Sequence, residues 1–146
     1  LFLRQGYVES SSAGPYNDYL VMGPGKSPMV MVYEAQFLHD AALPDSVIQD
    51  HMVLLYPEPT VFTKHILVPF NEVGESLSQV LTTDPTLQSL AIKHGFRNKN
   101  VAEFHGFVKK HNLAVPETLV KVIEPPSYEI LEHTIQLIEK KYEQQM

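Results

Sequence analysis

Cysteine is absent from this 146-residue chain. That excludes a disulfide framework and any zinc site built on thiolates, and it leaves the redox compartment open. Basic residues are few: 11 lysines and arginines stand against 17 acids, a net charge of -6 with the histidines neutral. With no basic patch to offset it, this balance argues against a nucleic-acid partner. No apolar run approaches the roughly 20 residues that a membrane-spanning helix needs. No signal peptide is visible, and because the chain begins at Leu1 rather than at Met, any targeting segment is expected upstream.

The usual carriers of catalysis are missing as well. No glycine-rich phosphate loop occurs, since Gly23-Pro-Gly25 is too short and blocked by proline. No Gly-x-Ser-x-Gly elbow appears. None of the seven histidines forms a His-Glu-x-x-His pair, and His105 and His111, six apart, do not share a helix face. Such scattered histidines read as surface or satisfied core residues. Glu34, Glu58, Glu72 and Glu75 could in principle work as acid and base, but their spacing selects no pair. The expectation is no enzyme, no metal and no cofactor.

What is present suits a folded domain: 44% of residues are hydrophobic and 19% charged, and the length supports one sizeable core. The stretch Pro28-Met-Val-Met-Val-Tyr-Glu-Ala-Gln-Phe37 stands out. A bounded apolar run of this kind predicts a strand buried on both faces. Tyr33 and Glu34 fall where it would leave the sheet, the place where open α/β sheets bind ligands. They are therefore candidate ligand contacts; the plainer alternative makes Tyr33 a half-buried packing residue and Glu34 a cap on the next helix. His51–Tyr56 and Val61–Phe70 are further extended segments, closed by Pro57 and Pro59 and by Pro69.

Helical signals surround these runs. Ser10, Ser11 and Ser12 are candidate caps for a helix running toward Leu20; a serine cluster there is also an oxyanion site in principle, but plain capping is the commoner role. Glu34 to Ala42 forms a short helix that Pro44 ends. Leu77, Val80 and Leu81, then Leu87, Leu90 and Ala91, line two helix faces separated by Asp84 as N-cap and Pro85 at the first helical position. Gly95 is the C-terminal stop, with Phe96 folding back onto the core. Val101, Phe104 and Val108 mark a helix starting near Asn98 or Asn100 and ending near Asn112. Leu119–Ile123 reads as a strand or a helical turn. After Pro125-Pro126, Ser127 with Ile130, Leu131, Ile135 and Ile138 gives a last helix. Strands in the first half and helices in the second predict a sheet covered on both faces.

The order of these segments resembles the C-terminal part of a type II periplasmic solute-binding protein of ABC transporters. The resemblance rests on Pro28–Gln36 with its Val-Tyr-Glu ending, Met52-Val-Leu-Leu-Tyr-Pro-Glu-Pro-Thr60, Leu77–Leu81, Asp84-Pro-Thr-Leu-Gln88 and His94-Gly-Phe-Arg97. It implies an α/β fold, a three-layer αβα sandwich with a mixed sheet over residues 1–97, followed by a helical extension over 98–146 packed on the same domain. It further implies an extracytoplasmic receptor that binds a small-molecule or ion solute and serves a membrane transporter subunit. Tyr33 is similar to a ligand-contacting tyrosine of the molybdate- and tungstate-type members, and Ser10, Ser11 and Ser12 match helix-capping serines that hold oxyanions. Glu34 departs from that pattern. A carboxylate in the cleft repels an anion, so a metal, an amine or a sugar hydroxyl fits it better. Such receptors have two lobes, so the resemblance implies a piece of a longer chain that holds one side of the ligand site. The alternative is a ligand-free interaction or sensory domain that keeps the receptor fold.

Overall fold

A computed structural model describes residues 11–23, 28–116, 118 and 121–143. Six helices run through them: α1 (Ala13–Met22), α2 (Glu34–Ala41), α3 (Glu72–Thr83), α4 (Pro85–Lys93), α5 (Val101–Lys110) and α6 (Tyr128–Glu143). Ser10, and Leu119 and Val120 of the ambiguous segment, lie outside the described residues.

The helix ends follow the capping chemistry of the sequence. Asn71 accepts the Gly74 N–H at 2.8 Å at the start of α3. Asp84 accepts the Leu87 N–H at 2.9 Å at the start of α4, and its own N–H donates to the Val80 carbonyl at 2.9 Å, so one residue closes α3 and opens α4. Asn100 accepts from Glu103 N–H at the start of α5. Two helices stop in the same way. After α4, Phe96 N–H donates to Ala91 O and Gly95 N–H to Ile92 O; after α5, Leu113 N–H donates to Val108 O and Asn112 N–H to Lys109 O. Both are Schellman closures, with Gly95 (φ 81) and Asn112 (φ 52) in the left-handed position. At the start of α6 the Ser127 carbonyl accepts the Leu131 N–H at 3.0 Å. There Glu129 is held below the usual carboxylate range by its own backbone N–H and by the Ser127 hydroxyl.

The expected sheet does not form, which corrects both the α/β sandwich and the type II periplasmic-binding-protein architecture. Among the described residues no strand is present, and the one bridge is the parallel pair Thr60–Val122. The segments anticipated as strands are extended but unpaired. Residues 29–33 alternate, with Val30 and Val32 turned inward and Met29, Met31 and Tyr33 exposed. Residues 52–56 do the same: Met52, Leu54 and Tyr56 face in while Val53 and Leu55 face out. A parallel sheet needs helices over both faces. Here only one face of each segment is covered, and Pro57, Pro59 and Pro69 remove ladder donors at the segment ends.

The core is correspondingly small. Leu38 of α2 (0% exposed), Ile92 of α4 (2%) and Phe104 of α5 (2%) meet at its centre. Phe37, Leu54, Phe107, Val108, Leu113 and Val115 pack around them. Phe96, expected to fold onto this core, is 40% exposed and meets the His65 ring edge-on. The buried Tyr16 of α1 lies near Asp40 of α2; burial, and then Asp40, raises its hydroxyl pKa.

Candidate functional site

Polar chemistry concentrates where the end of α4 crosses the start of α2. The Arg97 Nε donates to Glu34 Oε1 at 2.7 Å and its Nη2 to Glu34 Oε2 at 3.2 Å, a forked ion pair. Nη2 also donates to the Pro116 carbonyl at 2.9 Å. The guanidinium carbon sits 4.7 Å from the centre of the Phe104 ring, in cation–π geometry. The two side chains are only 25% and 19% exposed, so the pair is largely withdrawn from water. His94 stacks on His39 at 4.8 Å, a second contact between the same two helices.

Tyr56 completes this node. Its hydroxyl is buried and makes no hydrogen bond of good geometry among the described residues. Burial first, and then the negative charge of Glu34, raises its pKa above the ordinary 10.0, while Arg97 opposes the shift. The phenol therefore stays protonated over the whole range in which proteins work.

Tyr33 precedes α2 with an extended backbone and is half exposed. Its N–H donates to Gln36 Oε1 at 3.2 Å, half of a capping box. Glu34 is the first residue of α2, where a carboxylate suits the helix dipole; both its oxygens are engaged by Arg97. Ser12 occupies the cap position of α1 without a side-chain cap bond, and Ser11 is exposed. Among the described residues no hydrogen bond joins Ser11 or Ser12 to Tyr33 or Glu34. What residue-by-residue reading missed is the pairing of Glu34 with Arg97 across 63 positions. The signal available was an arginine two residues past a helix-stopping glycine, in a chain with just two arginines.

An open cleft of about 490 Å³ lies between α2, α4 and α5. Its rim carries His39, Lys93, Glu103, Lys110 and His111 over a floor of Ile92 and Phe107. Two lysines and two histidines share that rim with the single acid Glu103. No three His, Asp or Glu residues converge there or elsewhere among the described residues to hold a metal.

The node predicts a specific cost. Arg97→Lys keeps the charge but loses the fork on Glu34, the planar contact with Phe104 and the reach to Pro116. It is expected to lower unfolding free energy by about 1–2 kcal/mol. Urea unfolding followed by circular dichroism at 222 nm measures it. A loss under about 0.3 kcal/mol would mean that the pair behaves as an ordinary surface ion pair.

No family model, curated protein or solved structure matches this chain.

Proposed function

We propose that this chain is a protein-interaction module whose exposed apolar helix faces are covered by a partner. The observation that carries this reading is the exposure of whole stripes rather than scattered residues. On α3, Val73, Leu77, Val80 and Leu81 recur at helical spacing and all are exposed. On α6, Ile130, Leu131, Ile135 and Leu137 do the same. Phe70, just before α3, is 93% exposed. Single exposed leucines are ordinary, but contiguous apolar patches on a folded surface mark interaction sites.

Helix physics supports the same reading. A helix of 12 or 16 residues is marginal in water by itself and owes its stability to packing of its apolar face. Those faces are amphipathic in sequence, and among the described residues they are largely exposed. Among the described residues there is no sheet, so the cleft that the receptor architecture places at the strand ends is not formed there.

Site-specific photo-cross-linking in cells expressing the full chain tests this. A photoreactive residue at Leu77 or at Ile130 is expected to yield discrete protein adducts. The same residue at Gln79 or Gln136, on the polar faces, is expected to yield none.

A further inference from the structure

We propose that the cleft between α2, α4 and α5 binds a small organic anion, with a flat apolar body on its floor and the charged head at its rim. This goes beyond the interaction reading and uses neither α3 nor α6. The α5 wall of the cleft is one helix face, since Gly106, Phe107 and Lys110 follow Glu103 at three, four and seven residues. From Glu103 to Lys110 the wall runs about 10 Å along the axis. The volume of about 490 Å³ falls within the roughly 300–1,000 Å³ of small-ligand sites, which also form between packed helices. The floor is apolar: Ile92 is buried, and Phe107 packs against the same core. The Phe107 and His111 rings lie 4.9 Å apart, an aromatic surface that suits a flat partner.

The charge of the rim selects the sign of the ligand. The chain as a whole carries -6, whereas the rim sets Lys93 and Lys110 against the single acid Glu103. All three also answer helix ends: the lysines lie in the last turns of α4 and α5, and Glu103 lies in the first turn of α5. Each helix end carries about half a charge, so the three are offset alike and the positive excess remains. Glu103 is further engaged by Asn100, whose Nδ2 donates to Oε2 at 2.6 Å. Neither Lys93 nor Lys110 meets an acid among the described residues. An anionic head there gains two cationic partners; a cationic head meets two like charges.

Gly106 keeps the space free. A Cβ at this position meets nothing within 4 Å, so a long side chain at 106 takes up room that the ligand needs without displacing the core.

Indoleacetate is the probe, with tryptophol and tryptamine as the neutral and cationic forms of the same body. Amide NMR of the isotope-labelled full chain, titrated to about 5 mM, covers the affinity expected of so small a ligand. Indoleacetate is expected to shift Ile92, Lys93, Gly106 and Phe107 with a dissociation constant at or below about 1 mM. Tryptophol is expected to bind at least about 5-fold more weakly, and tryptamine more weakly still. Changing Lys93→Gln together with Lys110→Gln is expected to bring indoleacetate down to the tryptophol value. Gly106→Leu, which suits a helix better than glycine does, is expected to abolish binding with the circular dichroism spectrum unchanged. Equal binding of the three indoles overturns the anion as ligand. A double lysine variant that lowers the denaturant midpoint but keeps the preference for indoleacetate overturns the lysines as its partners. Shifts centred on Leu77 or Ile130, binding that survives Gly106→Leu, or no shift at the highest concentration overturns the cleft as the site.

Discussion

Gly95→Ala is expected to lower the unfolding free energy by about 3–4 kcal/mol, combining a left-handed backbone penalty with a clash in a packed region. Gly95 closes α4 at φ 81. A Cβ there would run into the Ala35 carbonyl oxygen, lie 2.9 Å from the Ala35 Cα and 3.0 Å from the Leu38 Cβ. Two of those atoms belong to the backbone of α2, which cannot yield as a flexible side chain does. The consequences spread, because the residues around Gly95 are the ones that join the two helices. His94 stacks on His39, and Arg97 holds Glu34. Gly106→Ala is the control. A Cβ at Gly106, inside α5, meets nothing within 4 Å, so the change is expected to stabilise by about 0.5–1 kcal/mol through helix propensity and a stiffer unfolded chain. Denaturant midpoints of the two variants should move in opposite directions. A Gly95→Ala loss no greater than about 1 kcal/mol would mean that α2 and α4 do not meet this closely.

Phe104→Ala carries the next largest effect, about 4 kcal/mol. The ring is one of the three most buried side chains at the core centre, with Leu38 and Ile92. Its other face carries the Arg97 guanidinium. Truncation therefore leaves a cavity in a core too small to spread the loss, and it removes the platform of the ion pair at the same time. Phe104→Leu refills much of the space and gives up the cation–π contact, for an expected loss of about 1–2 kcal/mol. Circular dichroism is the suitable probe, because the chain has no tryptophan. If Ala and Leu at position 104 destabilise equally, the loss is not a packing effect.

These two positions also show which parts of the structure are legible in the sequence. Helix boundaries are local facts. Asp84 followed by Pro85, Asn100 ahead of Val101 and Gly95 after α4 each declare a terminus within a few residues, and each cap forms as expected. Sheet formation is not local. The apolar runs at 28–37 and 51–56 predict strands buried on both faces, whereas residues 29–33 and 52–56 turn only alternate side chains inward; no local pattern states whether a neighbouring strand will pair with such a run or helices will cover both its sides. The inference from apolar runs to a covered sheet failed at that step, and the receptor architecture built on the order of those runs failed with it. The candidate site divides in the same way. Glu34 was conspicuous because it ends an apolar run, while its engagement by Arg97 depends on how α4 crosses α2, a geometry set by Gly95 and by the packing of Leu38 against Ile92.

The surplus of apolar surface links fold to function. A chain with a core this small keeps α3 and α6 as amphipathic helices whose faces its own core leaves exposed, and it leaves the outer faces of residues 29–33 and 52–56 in water. Folding leaves about half or more of most of those side chains in water; on the proposed reading association would remove the rest, at about 25 cal/mol per Å² of apolar area before the costs of binding are subtracted.

Position-resolved photo-cross-linking in cells tests that claim most directly, with Leu77 and Ile130 as reporters on the apolar faces of α3 and α6 and with Gln79 and Gln136 as their polar-face controls. The account predicts discrete adducts from the first two positions and none from the controls. Equal labelling at all four positions, or no adduct from Leu77 and Ile130 while the chain remains folded, would contradict it.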